Sequence, residues 1–326
     1  MPRTLNRRTA LGLMAGAAVG GALAACASNE NPPAAGGLPV IRWGLFRIYQ
    51  PTYIGIEKGF FREAGVNVEI TGLFSSGPAV VQAAGTGQVD AGHSATTGIA
   101  GAVAAGVKVS GIADSQTEFT DAPLQQWFVL KDSPIQSVAD LKGKRIGTNG
   151  LSGSFYYTTL IALKDAGLRK EDVQFVNLNH DKQGQALMSK QIDICGVIDP
   201  YSIQLGKEPS ARRLFTGADI LGNKQFSLVF FSKDFIEKNR EAVRKFMTGY
   251  LRAIAYIRAN PDESSSIMAA KIGLKPTDVV RHRYLDNAAI RPDDAQFWVD
   301  VMRENGELKD APGLKGADLL DASFNA

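Results

Sequence analysis

Small polar residues stand at four points of the sequence where a predicted strand turns into a predicted helix. The four loops are Gln50-Pro51, Ser75-Ser76-Gly77, Ser94-Ala95-Thr96 and Ser152-Gly153-Ser154. A helix begins with backbone N–H groups that have no partner inside the helix, at the positive end of its dipole. One serine at such a point serves as a helix cap. Four such loops in one chain could instead line a crevice that binds an anion.

Three aromatic residues follow the last of these loops, in the stretch 149–157 (NGLSGSFYY). Phe155, Tyr156 and Tyr157 would open a helix that ends near Gly167. Aromatic side chains at a helix start either pack into the core or face the crevice, where they favour a flat or aromatic ligand. Arg47, on the first loop, could clamp a sulfonate or carboxylate through two hydrogen bonds, or it could be a solvated surface arginine.

The elements that position these loops alternate between strand and helix along most of the chain. This alternation predicts an α/β fold with mainly parallel strands and right-handed crossovers. In such sheets the ligand crevice lies at the carboxyl ends of the strands, which is where the four loops fall. The last third is predicted to be helical, and residues 243–257 form one broad apolar face.

The first 25 residues have the pattern of an export signal. Arg7 and Arg8 precede an uncharged run rich in alanine and glycine, which ends in Leu23-Ala24-Ala25-Cys26. We expect residues 1–25 to be removed as a signal peptide and residues 26–38 to form a flexible, Pro- and Gly-rich tether. The paired arginines also fit a twin-arginine signal.

Charge and composition exclude several function classes. The chain has 36 Lys and Arg against 33 Asp and Glu, and three of its arginines lie in the signal. The remaining formal charge is zero, so the sequence predicts no nucleic-acid partner. Cys195 lies in an apolar run typical of a buried cysteine. The three histidines have no metal-ligand spacing, so we expect no metal, no cofactor and no catalytic site.

A set of short motifs identifies a family resemblance that runs from about Val40 to about Pro261. The motifs are GFFREAGVNV at 59–68, Gly77-Pro78-Ala79 through Gly87-Gln88-Val89-Asp90, Asp132-Ser133-Pro134-Ile135, VADLKGK at 138–144, Ala166-Gly167-Leu168 with Asp172-Val173, Ile192-Asp193 and Asp199-Pro200-Tyr201. In the order and spacing of these motifs, the chain resembles the periplasmic substrate-binding proteins of ABC importers. The branch is the one for aliphatic sulfonates, taurine, nitrate and thiamine-precursor pyrimidines. Leu-Ala-Ala-Cys also resembles the bacterial lipobox, in which the cysteine, here Cys26, is lipidated.

The resemblance implies a type II periplasmic binding fold, with two α/β lobes that close on ligand around two crossing strands. Lobe one would comprise 39–128 plus 229–326 and lobe two 129–228, with the crossings near 127–131 and 225–231. The ligand would lie between the lobes. The residues implied to contact it are Tyr49, Gln50, Ser75, Ser76, Gly77, Ser94, Ala95, Thr96, Ser152, Gly153, Ser154, Phe155, Asp199 and Tyr201.

The function implied is that of a monomeric, lipid-anchored protein on the periplasmic or extracytoplasmic face of the membrane. It would deliver a small organosulfonate or related organic anion to ABC permease subunits. The alternative ligand is a thiamine-precursor pyrimidine or another aromatic heterocycle or acid, and dominance of the cleft by aromatic side chains would favour it. A minor alternative is a pyrimidine synthase, although the cysteine-rich motif of those enzymes is absent. A sensory binding protein that acts on a membrane receptor would have the same sequence features as a transport protein.

Overall fold

The computed structural model describes residues 37–274 and 283–324. The predicted signal peptide, Cys26 and nearly all of the predicted tether lie outside the described residues, so those expectations remain predictions. Within the described ranges, no helix combines the length and the apolar composition that crossing a membrane requires.

In the described residues, ten strands form two separate five-stranded sheets. In chain order they are β1 Val40–Leu45, β2 Asn67–Leu73, β3 Ala91–Ala95, β4 Val109–Thr117, β5 Gln126–Leu130, β6 Arg145–Thr148, β7 Gln174–Asn177, β8 Ile194–Val197, β9 Ala211–Thr216 and β10 Gln225–Ser232. The first sheet has the order β2-β1-β3-β10-β4 and the second β7-β6-β8-β5-β9. This arrangement confirms the predicted two-lobed α/β fold.

Each sheet is mixed rather than mainly parallel as the sequence predicts. In the first sheet β1 runs parallel to β2 and β3, whereas β10 runs antiparallel to β3 and β4. In the second sheet β6 runs parallel to β7 and β8, whereas β5 runs antiparallel to β8 and β9. In each sheet the antiparallel strand is the first one that the chain forms after it crosses from the other sheet. It therefore runs in the direction opposite to that of its two neighbours.

Across the two described ranges, twelve α-helices connect and cover the sheets. They are α1 Pro51–Glu57, α2 Phe60–Ala64, α3 Gly77–Gly85, α4 Thr96–Ala104, α5 Ser154–Asp165, α6 His180–Met188, α7 Tyr201–Lys207, α8 Gly217–Leu221, α9 Lys233–Lys238, α10 Arg240–Ala259, α11 Pro261–Lys271 and α12 Pro292–Glu304. The sequence predicts one helix from Pro51 to Ala64, but Gly59 adopts a left-handed conformation (φ 74°) that divides it. The apolar face of α10 is buried as predicted, with Phe246 stacked on Trp43 and Phe61.

The chain crosses between the sheets twice, at residues 118–125 and 217–224. These segments precede β5 and β10, each of which pairs within a single sheet, so the crossings fall a few residues earlier than the resemblance implies. Glu118 is fully buried in the first crossing and accepts the backbone N–H groups of Leu124 (3.0 Å) and Gln125 (2.7 Å). A Cβ at Gly217 would lie 2.4 Å from Glu118 Oε1, so the two crossings are in close contact. The exact lobe boundaries remain a prediction.

The same arginine–aspartate clasp recurs in both sheets. Asp90, just before β3, accepts the backbone N–H of Arg42 (2.8 Å) and two guanidinium hydrogen bonds from it. Asp193, just before β8, accepts the backbone N–H of Arg145 (2.8 Å) and two guanidinium bonds in the same pattern. Each clasp ties the start of one parallel strand to its neighbour, and the two sheets are therefore built on one plan.

Loss of the first clasp is expected to cost more stability than loss of the second. Asp90→Ala should lower the free energy of unfolding by about 2 kcal/mol, because it leaves a guanidinium and a buried N–H without their acceptor. The side chain of Asp90 is 5% exposed against 29% for Asp193, so Asp193→Ala should cost about half as much. Urea unfolding of both variants measures the difference, and an equal loss would contradict it.

Candidate functional site

Two adjoining cavities lie between the elements of the first sheet and those of the second. The outer cavity has a volume of about 270 Å³ and the inner cavity about 50 Å³. Four residues line both of them, namely Phe46, Ile48, Asn149 and His180. Phe46 and Ile48 follow β1 of the first sheet, whereas Asn149 and His180 follow β6 and β7 of the second. A solute in this cleft would therefore contact both sheets.

Four helices begin at the cleft. The lining residues include Ser76 and Gly77 at the start of α3, Ala95 before α4, Gly153 and Ser154 at the start of α5, and His180 at the start of α6. In this described part of the chain, none of the four N-cap residues makes a side-chain capping hydrogen bond. Two of these N-cap residues, Ala95 and Gly153, have no side-chain group that could accept a hydrogen bond, and the other two, Ser76 and Asn179, do not use theirs as a cap.

Aromatic rings form the walls of the inner cavity. Phe46 stacks on His93 with ring centroids 5.2 Å apart and planes within 7°. Phe155 meets His180 edge to face at 4.8 Å and is backed by Trp127 at 5.3 Å. Phe226 also lines this cavity. The wall is therefore suited to a flat, apolar ring system.

The three aromatic residues at the start of α5 divide between cleft and core. Phe155 lines the inner cavity. Tyr156 and Tyr157 are buried in a hydrophobic core to which both lobes contribute, and Tyr156 packs edge to face against Phe175 at 4.8 Å. Phe155 therefore fits the interpretation that these residues face the crevice, and Tyr156 and Tyr157 fit the interpretation that they pack into the core.

Two histidines are the main polar groups of the inner cavity. Burial lowers the pKa of His93 to about 3 and that of His180 to about 4, so both imidazoles are neutral at pH 7. Among the described residues that line the inner cavity there is no Asp, Glu, Lys or Arg. The outer cavity has one residue of each sign, Arg47 and Asp181, both exposed to solvent. Arg47 donates a hydrogen bond to the Ile272 carbonyl (3.0 Å).

Eight of the fourteen sequence-predicted contact residues line the cavities. They are Ser75, Ser76, Gly77, Ala95, Gly153, Ser154, Phe155 and Tyr201. These residues come from both lobes, as the prediction requires. Their contact with a ligand remains a proposal.

The other six predicted residues do not line either cavity. Side chains alternate along β3, so His93 and Ala95 face the cleft while Ser94 points toward α3, and Thr96 is buried at the start of α4. Tyr49, Gln50 and Asp199 are also buried; Gln50 donates to the Tyr53 hydroxyl (3.0 Å), and Asp199 accepts from the Ser202 hydroxyl. Ser152 is exposed.

Ser152 contributes to the contact between the lobes. Its carbonyl oxygen accepts a hydrogen bond from the hydroxyl of Thr97 on α4 (2.9 Å). On the other side of the cleft the Tyr201 hydroxyl donates to the Arg47 carbonyl (3.4 Å). These bonds join the first lobe to the second beside the cavities.

Sequence reasoning missed several residues that the cleft contains. Phe46, Ile48, His93, Gln116, Asn149, His180, Asp181, Ile198, Phe226 and Ser227 line one or both cavities. Strand alternation at β3 could have identified His93, one residue before the predicted loop. Gln116 and Ser227 lie on β4 and β10, and only the pairing of distant strands brings them to the cleft.

Buried carboxyl groups below the cleft make the stability of the fold depend on pH. Asp114 Oδ1 accepts hydrogen bonds from Gln225 Nε2 (2.6 Å) and Thr117 Oγ1 (2.9 Å). Burial raises the pKa of Asp114 to about 7, and it raises the pKa of Glu118 to about 7 as well. A pKa that is higher in the folded than in the unfolded chain gives stability that is complete below the ordinary pKa near 4 and is lost as the pH rises through 7.

Asp114→Asn is therefore expected to flatten the pH profile of stability. The amide oxygen can keep both accepted hydrogen bonds, while the titration of this site disappears. The fall in unfolding free energy between pH 5 and pH 8 should be roughly 2 kcal/mol smaller than in the unchanged protein. Urea unfolding at the two pH values measures it, and an unchanged fall would show that Asp114 is not the group responsible.

Comparison with known proteins places the chain in a family. Residues 49–264 match the family described as NMT1/THI5 like. A protein of Brucella abortus (strain 2308) named as a binding protein is 30% identical over 250 residues, which cover 76% of this chain and 74% of that one. The riboflavin-binding protein RibY of Chloroflexus aurantiacus is 27% identical over 66% of this chain and 60% of its own length. A 4-amino-5-hydroxymethyl-2-methylpyrimidine phosphate synthase of Saccharomyces cerevisiae, THI11, is 27% identical over 68% of this chain and 67% of its own.

Solved structures share the fold. The alkanesulfonate-binding protein SsuA from Xanthomonas axonopodis pv. citri, bound to MOPS, superposes with a TM-score of 0.74 at 20% identity, covering 86% of this chain and 98% of that one. The family match covers residues 49–264, and the solved structure has the same fold as this chain. The chain belongs to the NMT1/THI5-like family and has the two-sheet α/β fold of periplasmic binding proteins.

Proposed function

We propose that the protein is the solute-binding component of an ABC importer and that it holds a flat aromatic or heteroaromatic solute between its two lobes. The observation that carries this proposal is the inner cavity, which is walled by Phe46, Phe155 and Phe226 and contains no charged side chain among its described lining residues. Rings of this kind favour stacked and edge-to-face contact with a planar solute. A relative named as a riboflavin-binding protein is consistent with such a ligand.

The polar groups of the cleft suit a neutral solute. The two imidazoles are uncharged at pH 7, and the amides of Gln116 and Asn149 can donate or accept. The helix starts add backbone N–H donors. Such a set can orient a heteroaromatic ring through hydrogen bonds while its faces lie against the aromatic walls.

A second candidate ligand is a small organosulfonate. Four helix N-termini converge on the cleft, and the exposed guanidinium of Arg47 lies at the outer cavity. A sulfonate could lie there with its oxygens toward Arg47. The carboxylate of Asp181 lines the same cavity and would oppose an anion, which is why we rank this candidate second.

We propose binding without catalysis. Cys195 is fully buried, and burial raises the pKa of its thiol to about 12, so at neutral pH it is not a thiolate nucleophile. The described residues also contain no cluster of His, Cys, Asp and Glu able to hold a metal ion. Incubation with candidate solutes, followed by mass spectrometry of the recovered solute, tests this proposal; a changed mass would reject it.

We further propose that the protein is monomeric and is held by lipid on Cys26 at the extracytoplasmic face of the membrane, where it delivers solute to permease subunits. Membrane fractionation of Cys26→Ser tests the anchor, and retention of the variant in the membrane fraction would reject it.

A thermal-shift panel tests the ligand class. It should contain pyrimidines, benzimidazole and riboflavin beside taurine, longer alkanesulfonates and nitrate. A solute at 100 times its Kd should add about 2.7 kcal/mol to the stability of the protein. We expect the heteroaromatic compounds to raise the melting temperature. A rise with sulfonates alone would favour the second candidate, and no rise with any compound would reject both.

A further inference from the structure

One imidazole nitrogen of His93, Nδ1, is buried and, within the described part of the chain, accepts or donates no hydrogen bond that meets normal bonding geometry. The residue is 2% exposed and lines the inner cavity. Its Nδ1 has no hydrogen-bond partner among the described residues, and neither has Nδ1 of His180 on the other side of the cavity. Buried polar atoms in folded proteins are rarely left without a partner, so this nitrogen points to a group that the solute brings.

The neighbouring serine determines which nitrogen of His93 carries the proton. Ser227 Oγ lies 2.8 Å from the Ser94 carbonyl oxygen and 2.6 Å from His93 Nε2. A carbonyl can only accept, so the single hydroxyl proton of Ser227 goes to Ser94. The contact with His93 is then a hydrogen bond in which Nε2–H donates to Ser227 Oγ. Nδ1 is left as an unprotonated acceptor.

This tautomer persists at physiological pH. The pKa of His93 is lowered to about 3 by burial, so the imidazole does not gain a second proton near neutrality. The side chain of Gln116, which also lines the cavity, interacts with the imidazole and opposes part of this lowering of the His93 pKa. Its amide group can turn to accept or donate, so it can adapt to whatever the solute presents.

The orientation of the imidazole restricts where the solute can place its donor. The lone pair of Nδ1 lies in the plane of the ring. Phe46 covers one face of that ring at 5.2 Å with the two planes within 7° of parallel. A donor must therefore approach edge on, in the imidazole plane. A ring N–H or an amino group on a planar heteroaromatic ring meets this requirement, whereas the oxygens of a sulfonate or carboxylate carry no proton to offer.

We propose that His93 Nδ1 is a specificity-determining acceptor, which selects heteroaromatic solutes that carry an in-plane N–H donor and discriminates against oxyanions. This inference rests on the proposed function and deepens it. Ser227 acts as a positioning residue, because its hydrogen bond fixes the tautomer of His93.

Matched pairs of solutes test this selection by titration calorimetry on the full chain. The pairs are benzimidazole with 1-methylbenzimidazole, and 4-aminopyrimidine with 4-(dimethylamino)pyrimidine; benzenesulfonate supplies an oxyanion. In each pair methylation removes the donor and keeps the ring. We expect the donor-bearing member of at least one pair to bind tenfold or more tightly than its methylated partner and than benzenesulfonate.

His93→Phe keeps the stacking on Phe46 and removes the acceptor. We expect it to bring the affinity ratio within the pair close to one. Ser227→Ala keeps the imidazole but removes the hydrogen bond that fixes its tautomer, so it should also lower the affinity ratio within the pair. If His93→Phe does not fold, Ser227→Ala is the variant that tests the inference. Circular dichroism of both variants establishes folding.

Four results would overturn the inference. Equal binding of the donor and its methylated partner in both pairs would reject it while leaving the heteroaromatic ligand class intact, and so would a ratio that survives in both variants. Binding of benzenesulfonate in preference to both pairs would reject it and favour the second candidate function. Absence of binding by all four heteroaromatic compounds would reject the proposed ligand class and the inference together.

Discussion

Phe155→Leu is expected to weaken the binding of a flat aromatic solute about tenfold. Phe155 lines the inner cavity, and Trp127 behind it and His180 beside it hold its ring in place. Leucine keeps much of the buried volume but removes the aromatic face. Aromatic pairs contribute about 0.5–1.5 kcal/mol beyond the area they bury, and 1.4 kcal/mol corresponds to a factor of ten in affinity. Titration calorimetry with the tightest-binding member of the panel measures the loss.

Phe175→Leu is the matched control for this variant. Phe175 lies on β7 of the second sheet and packs against Tyr156, and it does not line either cavity. The control should lose stability to a similar or smaller degree and should bind the solute with unchanged affinity. Equal affinity in both variants would show that Phe155 is only a core residue. A sulfonate that binds Phe155→Leu normally while aromatic solutes do not would localise the two ligand classes to different parts of the cleft.

Gly77→Ala is expected to lower the free energy of unfolding by about 3 kcal/mol, at the upper end of what overpacking costs. A Cβ at this position would lie 2.8 Å from the Cα of Ser94 and 2.9 Å from its Oγ. The Cα belongs to β3 and cannot rotate away, so α3 would have to move back from the sheet. Because α3 begins at the inner cavity, solute binding should weaken as well. Urea unfolding and the same calorimetric titration measure the two effects.

Gly184→Ala serves as the control for the glycine substitution. Gly184 lies inside α6, where the nearest atom to an added Cβ is 3.6 Å away, an ordinary van der Waals distance. Alanine is preferred to glycine in a helix interior, so this variant should gain about 0.5–1 kcal/mol. A loss of stability at Gly77 no greater than at Gly184 would show that α3 can shift without cost, and that the close approach of α3 to β3 does not define the cleft.

The location of the site followed from local pattern, because strand-to-helix loops are encoded by neighbouring residues. Ser76, Gly77 and Ser154 could be placed at a crevice from the sequence alone, and they line the inner cavity. Where the predicted contact residues and the cavity-lining residues differ, the difference often concerns which side chain of a segment faces the cleft. On β3 the prediction named Ser94 and Ala95, whereas His93 and Ala95 line the inner cavity; after β1 it named Tyr49 and Gln50, whereas Phe46 and Ile48 line both cavities.

The remaining differences depend on contacts between distant segments. Gln116 and Ser227 reach the cleft only because β4 and β10 pair across more than 100 residues of sequence. The mixed character of the sheets has the same origin, since it depends on which sheet a strand joins after the chain has crossed. The role of Ser152 could not be read locally either, because its partner Thr97 lies in the other lobe.

The two lobes share more than their topology. The clasps Arg42–Asp90 and Arg145–Asp193 occupy equivalent places at the strand beside the cleft in each sheet. They hold β3, which carries His93, in one lobe and β8, which Ile198 directly follows, in the other. Both walls of the inner cavity are therefore set on rigid supports, which suits a site that selects its solute by the position of a single hydrogen-bond donor.

A crystal structure of the protein with the tightest-binding panel member tests the central claim most directly. The account predicts that the solute occupies the inner cavity between Phe46 of the first lobe and Phe155 of the second, and that it contacts both. A solute held by one lobe alone, or bound outside the two cavities, would contradict the proposal that this cleft is the binding site.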